Sequence, residues 1–241
     1  MFCITIICCV SCSGGGDWFG GGTGGPIDTT MPPWVYDPPV DTTPIPALKP
    51  IDTIGSKSLS ERLLDASVTV LVYDTKRKLI QLGSGAFVQS NIIATNFHVI
   101  KGGSYFCIER GAEKNLIQAE IYKFDEPHDV ALLKIEENFP SSVLSLNTKL
   151  PEPGIDIMVA GSPMALPGTL SKGIVSAIRT YPPYDHDLIQ ISASISQGSS
   201  GGPVVNMAGE ILGISVSNIG GQGAQNLNFA VPAVYIEFLL R

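Results

Sequence analysis

Cysteine is almost confined to one end of this chain: Cys3, Cys8, Cys9 and Cys12 precede residue 13, and only Cys107 follows. The rest of the chain therefore has no internal disulfide, and no Cys/His spacing suits a metal site. Histidine is scarce, with only His98, His128 and His186. Positive charge is also in deficit: 15 Lys and Arg stand against 22 Asp and Glu, a formal net charge of −7. With no basic run and no base-stacking module, a phosphate-tracking surface is excluded, and nucleic acid is not an expected partner. Nor is there an apolar run long enough to span a bilayer as a helix, which takes about 20 residues.

What the amino terminus does have is a short apolar stretch, Phe2 to Val10. That is the length of a signal-peptide core. Val10-Ser11-Cys12-Ser13 and a glycine tract follow, and they resemble the lipobox of bacterial lipoproteins, in which the cysteine is acylated and becomes the mature first residue. The match departs at Cys9, where leucine is usual, and no Lys or Arg precedes the apolar run. A plain cleaved signal peptide is the competing reading. Residues 13 to 25 are mostly Gly and Ser, and residues 26 to 50 hold eight prolines. The first stretch should be flexible and the second extended, reaching about 75 Å in polyproline geometry. The expected organisation is a signal peptide over 1–11, a tether over 12–55 lifting a domain from a membrane through a lipid on Cys12, and a folded domain over 56–241. Such a protein would be exported to the bacterial cell envelope.

The folded part opens with Ser58 and Glu61 at capping-box spacing, which predicts a short helix. Short β-runs broken by Gly, Pro, Asn and Asp then predict strands at 67–74, 79–88, 91–95, 104–109, 115–123 and 130–135. A proline-marked break separates these from strands at 155–160, 168–179, 187–192, 203–206, 210–217 and 227–231. A closing helix is expected over 232–241, with Pro232 in its first turn. Two groups of six strands without intervening helices argue for an all-β fold of two antiparallel barrels, one over about 67–139 and one over about 154–231.

Gly198-Ser199-Ser200-Gly201-Gly202-Pro203 is the most informative hexapeptide. Serine is a weak nucleophile that needs an adjacent base and a site for the oxyanion, and flanking glycines let successive N–H groups converge on one spot. The segment alone also permits a glycine-rich turn, or the nucleophile elbow of α/β-hydrolases. The elbow fails here, because no histidine follows Ser200 and the next residues read as a hairpin. The base must lie upstream. His98 comes just after an apolar strand, where a structural histidine is the commoner case. His128 is a weaker candidate, and His186, between acids in a Pro-Pro loop, reads as a solvated surface residue. Asp129 opens the apolar strand Asp129-Val130-Ala131-Leu132-Leu133-Lys134-Ile135. A carboxylate there either caps the strand or fixes the tautomer of a histidine. The chain order His98, Asp129, Ser200 is that of the chymotrypsin type.

From about Val68 to Pro232 the chain resembles the HtrA/Deg-type branch of trypsin-like serine proteases. The resemblance rests on Gly83-Ser84-Gly85-Ala86-Phe87-Val88 leading to Thr95-Asn96-Phe97-His98, on Asp129 to Ile135, and on Ala160-Gly161-Ser162-Pro163. It continues through Gly173-Ile174-Val175-Ser176, Gly198 to Pro203, Gly209 to Ile214, and Asn228 to Pro232. It implies a chymotrypsin-type double barrel and a serine endopeptidase, with His98, Asp129 and Ser200 as the triad and no cofactor. It also implies an oxyanion hole from the N–H groups of Gly198 and Ser200, with Ser199 contributing its own. Ser194 and Ile195 match one wall of the primary pocket, and Val216, Ser217 and Asn218 match the segment that pairs with substrate backbone. With no acid at the pocket base, where Ser194 falls, a small or medium apolar side chain before the scissile bond is expected. The expected partner is a peptide or unfolded protein; no feature of the chain fixes an oligomeric state.

Two departures carry consequences. Ser199 stands where trypsin has an aspartate, so activation by a freed amino terminus has no partner. The sequence ends within ten residues of Pro232, so no PDZ domain is expected. The same residues leave open a resting protease-like binding or chaperone module, an esterase, and a surface adhesin in which the tether dominates.

Overall fold

The computed structural model describes residues 57–110, 115–136, 142–162, 168–180, 184–216 and 227–241. All belong to the second of two units, Met1–Asp52 and Thr53–Arg241. The leader, the whole tether with Cys12, and Pro163, Ser217 and Asn218 lie outside the described residues.

The chain enters through α1 (Leu59–Ala66), whose start the capping box fixes: Glu61 N–H donates to Ser58 Oγ at 3.2 Å, and Ser58 N–H to Glu61 Oε2 at 2.7 Å. Six strands follow, β1 (Ser67–Tyr73), β2 (Leu79–Gln89), β3 (Ile92–Thr95), β4 (Tyr105–Arg110), β5 (Asn115–Asp125) and β6 (Val130–Lys134), with the short helix α2 (Phe97–Ile100) after β3. They close into an antiparallel barrel in the order β1-β2-β3-β6-β5-β4. The second set is β7 (Asp156–Gly161), β8 (Thr169–Thr180), β9 (Asp187–Ile191), β10 (Pro203–Asn206), β11 (Ile211–Val216) and β12 (Asn228–Pro232), closing as β10-β11-β12-β9-β8-β7. Helix α3 (Ala233–Leu240) ends the chain, with Pro232 one position earlier than expected, as its N-cap.

Each expected strand is present within two residues of its expected ends. The sequence reads as continuous apolar runs because many strands are covered on both faces. Along β6, Ala131 and Leu133 point into the first barrel, while Val130 and Leu132 join a separate cluster with Ala160, Val205, Ile214 and Val231 of the second. In β2, Phe87 fills the first barrel, and Ala86 and Val88 face the seam. Helices α1 and α3 contribute Leu63, Ala66, Ile236 and Leu239 to the seam cluster. The second barrel has its own filling, including Ile157, Val159, Val175, Ile189 and Val204. The seam between the barrels is therefore as well buried as either barrel interior, and the candidate site lies along it.

Candidate active site

His98 is placed by α2, which the sequence reading did not anticipate. Four residues are too few to show a helical period, and packing sets the turn instead. Val99 and Ile100 are buried in the first barrel, and Phe97 stacks on Phe124 with ring centroids 5.0 Å apart. Gln81 Nε2 donates to the His98 carbonyl at 2.8 Å, tying α2 back to β2. The imidazole remains partly open, with the side chain 38% exposed.

Asp129 closes the turn before β6 in the left-handed region, at φ +55°. Asp tolerates that region better than most residues, but it still costs about 1 kcal/mol. Its bonds offset the cost. Asp129 N–H donates to the Glu126 carbonyl at 3.1 Å, and Asn96 Nδ2 donates to the Asp129 carbonyl at 3.0 Å. The conformation turns the carboxylate toward α2, where Oδ1 accepts the His98 backbone N–H at 2.8 Å and Oδ2 lies 2.7 Å from His98 Nδ1. One carboxylate thus holds both the backbone and the ring of the histidine. With Nδ1–H as the donor, Nε2 is left as the basic nitrogen. The Asp129 side chain is only 7% exposed.

Ser200 is buried, at 4% exposure, in the loop before β10. The four residues before it form a turn closed by Ser199 N–H donating to the Ser196 carbonyl at 2.9 Å, with Gly198 at φ +94° in its third position. That is the requirement of a type II turn, which favours glycine there. Among the described residues no acceptor takes the Gly198 N–H. The Ser199 N–H, expected as a further oxyanion donor, is the group that closes this turn on the Ser196 carbonyl. Gly198 and Ser200 remain the candidate donors.

A line of buried hydroxyls, to which the sequence alone assigns no role, holds this loop against the first barrel. Ser84 Oγ donates to the Gly198 carbonyl at 2.7 Å and accepts the Ser162 N–H at 2.9 Å. Ser84 N–H donates to the Ser200 carbonyl at 2.7 Å. Thr95 Oγ1 donates to the Ser84 carbonyl at 2.7 Å, and Thr69 Oγ1 and Ser162 Oγ are 2.6 Å apart. From β11, Ser215 Oγ donates to the Ser199 carbonyl at 2.7 Å, and Ser215 N–H to the Gly202 carbonyl at 2.8 Å. Gly201 is the pinch point. At φ +87°, a Cβ there would lie 2.2 Å from the Ser84 carbonyl and 2.3 Å from Thr95 Oγ1. The signal for these residues was in the sequence as small polar side chains inside otherwise apolar strands, where a polar group needs a buried partner.

The other histidines go elsewhere. His128 Nδ1 lies 2.7 Å from Asp125 Oδ2. His186 is not on the surface as expected: its side chain is 7% exposed, packed among His128, Tyr184 and Tyr235. Burial, with His128 beside it, holds the His186 imidazole below its ordinary range. Of the proposed pocket residues, Ser194 is exposed and Ile195 half-buried against the second barrel core. Val216 is buried in the seam cluster, opposite Phe229 in the ladder. Among the described residues no group of three or more His, Cys, Asp or Glu could hold a metal ion.

Comparison with known proteins gives a consistent answer. The profile of the trypsin-like peptidase domain matches residues 83–214. The chain is 34% identical over 187 residues to the anti-sigma-I factor RsgI9 of Acetivibrio thermocellus, covering 77% of this chain and 26% of that protein. It is 35% identical over 164 residues to a probable periplasmic serine endoprotease DegP-like of Pseudomonas putida, covering 66% of this chain and 34% of that protein. The crystal structure of the serine endoprotease from Yersinia pestis superposes with a TM-score of 0.65 at 27% identity, covering 77% of this chain and 66% of that one. The chain spans about a quarter to a third of the length of these two curated relatives. It belongs to the trypsin-like peptidase family, a membership that the closed double barrel independently supports. Within that family it is an HtrA-type protease domain.

Proposed function

We propose that this chain is a serine endopeptidase working through an acyl-enzyme, with Ser200 as nucleophile, His98 as general base and Asp129 as the acid that orients it. The observation that carries the reading is the double hold of Asp129 on His98, ring and backbone together, beside a buried serine whose loop is clamped between the barrels. Family membership supports the same chemistry.

In this mechanism His98 Nε2 takes the Ser200 proton as Oγ attacks a peptide carbonyl, and then hands it to the leaving amine. Water repeats the cycle on the ester. The carbonyl oxygen becomes negative as the tetrahedral species forms, and the N–H groups of Gly198 and Ser200 receive it. One such donor is worth about 3 kcal/mol of transition-state stabilisation. Only the neutral imidazole can accept the serine proton, so activity falls at acid pH.

The substrate is a peptide or unfolded polypeptide with a small or medium apolar side chain before the scissile bond, a choice supported by the half-buried Ile195. The apolar run Phe2 to Val10 and the periplasmic placement in the name of the Pseudomonas putida relative support export to the cell envelope, with Cys12 as the candidate lipid anchor. Residues 1–11 then serve as signal peptide and 12–55 as tether to the protease domain over 56–241.

Casein digestion by the full chain, alongside Ser200→Ala, tests the central reading. Cleavage by the native chain and none by the variant is the expected result; equal digestion by both, or none by either, overturns it. A peptide library showing strong preference for Arg would overturn the pocket assignment alone.

A further inference from the structure

Asp129 has one more donor than its hold on His98 requires. The Tyr184 hydroxyl donates to Asp129 Oδ2 at 2.9 Å, the same oxygen that meets His98 Nδ1. Tyr184 lies just before β9 of the second barrel, whereas Asp129 closes a turn of the first. The acid on one barrel is thus oriented by a phenol from the other. Burial, reinforced by the Asp129 charge, pushes the Tyr184 phenol up, so the hydroxyl stays protonated and can only donate to this carboxylate. The nearby Ser215 hydroxyl is directed at the Ser199 carbonyl instead.

The phenol sits in a packed block of rings. His186 meets Tyr184 edge-on at 5.3 Å between centroids, Tyr235 of α3 edge-on at 5.0 Å, and His128 at 4.8 Å. His128 in turn stacks on Tyr235 at 4.0 Å. Neither ring nitrogen of His186 has a hydrogen-bond partner among the described residues. The imidazole therefore acts there as a packing ring, and it anchors the loop that carries Tyr184.

We propose that Tyr184 is a positioning residue for the Asp129–His98 pair, fixing the carboxylate plane and sharing the oxygen that meets the imidazole. This inference rests on the protease reading for its consequence in turnover. A carboxylate oxygen that accepts two donors shares its charge between them. Without the phenol, more of that charge falls on His98 Nδ1–H, the imidazolium is better stabilised, and the ring stays protonated to higher pH. The carboxylate is also freer to turn, which loosens the aim of Nε2 at Ser200.

Several charged or titratable groups stand on the elements around this pair. Asp125 ends β5 and His128 stands on the turn before β6, Asp185, His186 and Asp187 follow Tyr184, and Tyr235 comes from α3. The Lys101–Glu126 ion pair, 2.7 Å, joins α2 to the Asp129 turn. His186 is the neighbour whose own titration could mimic the effect, so it is removed as a control.

The test uses the full chain as wild type, Tyr184→Phe, His186→Phe, the double variant and Ser200→Ala. His98 is titrated by NMR, a readout that needs no turnover, and kcat and KM are measured against pH. Tyr184→Phe keeps the ring, so the packed block and the melting temperature should hold. The expected result is a His98 titration and an acid limb of kcat/KM both moved up by about half a pH unit. A fall in kcat of roughly three- to tenfold accompanies it, with KM changed by less than about twofold. The same upward move should appear in the double variant relative to His186→Phe. A His98 titration in Tyr184→Phe that coincides with wild type, or moves down, overturns the proposal, as does a variant that loses only stability. Wild-type turnover that survives Ser200→Ala would defeat the protease reading, while the NMR titration still decides the role of Tyr184.

Discussion

Replacing Ser84 by alanine takes one oxygen from the seam between the barrels without asking the backbone to move. Ser84 is fully buried, and its hydroxyl has two partners, the Gly198 carbonyl at 2.7 Å and the Ser162 N–H at 2.9 Å. Each buried partner left unsatisfied costs about 1–3 kcal/mol, so losing both should cost the variant about 2–6 kcal/mol of stability. For a domain of this size that is a fall of roughly 4–24 °C in Tm. The catalytic consequence is separable from it. The Gly198 carbonyl belongs to the turn whose N–H groups are the candidate oxyanion donors, and Ser84 is the hydroxyl that holds that carbonyl. Losing about 1.4–2.8 kcal/mol of that hold lowers the population of the competent turn by 10- to 100-fold. The fall should appear in kcat and in the second-order rate of fluorophosphonate inactivation, with KM nearly unchanged, at a temperature where circular dichroism shows the variant folded. A variant with a lowered Tm whose inactivation rate matches wild type within a factor of about two would refute the link between this hydroxyl and the turn.

Gly201→Ala should be far more severe, because its Cβ would collide with the Ser84 carbonyl and Thr95 Oγ1 at a positive φ; a soluble, active variant with native Tm would contradict the described loop. His186 is held neutral in the folded chain, by burial first and by His128 second, so the unfolded chain takes up its proton first and stability drops as pH falls through the ordinary imidazole range of about 6.5. His186→Phe should remove that part of the drop in denaturant titrations between pH 7.5 and pH 5.5, chosen on the order of one unit either side of the reference value; an unchanged slope would count against a buried neutral ring. Asp65 is pushed up by burial, but Lys57 and Ser142, with Arg110, outweigh that and hold its carboxyl well below the usual range. Its contribution is therefore present above the ordinary carboxylate value and is lost as pH falls through the acid range. Asp65→Asn should cost about 2 kcal/mol at neutral pH and less near pH 3, roughly below the unfolded carboxylate value; equal costs at both would show that the charge is not the source.

The strands were legible because their pattern reports local facts: apolar on the barrel side, apolar again on the seam side, and broken by residues that turn. The run Val130 to Leu133 is the clearest case, since each of its residues enters one core cluster or the other. Helix α2 was not legible. Its four residues carry no period, and its existence depends on Phe124, twenty-seven positions after Phe97, offering a ring to stack on. His186 was misjudged for a related reason. Asp185, Asp187 and the prolines beside it speak for solvent, but Tyr235 and His128, distant in the chain, bury it. The commitment of Ser199 N–H was equally hidden, because hydrogen-bond direction within a glycine-rich turn follows from φ at Gly198 and not from residue type. The order of His98, Asp129 and Ser200 was visible at once; the hydroxyls and the phenol that hold them were not, since their partners are set by the folded barrels, with Ser84 and Tyr184 reaching across the seam.

Mapping a fluorophosphonate adduct by mass spectrometry on the full chain tests the central claim most directly. A single adduct on Ser200 in wild type and none in Ser200→Ala is the expected result. In Asp129→Asn the adduct should form about a thousandfold more slowly or worse, because the histidine is left in the wrong tautomer. An unlabelled wild type, or equal labelling of wild type and Ser200→Ala, would contradict the central claim.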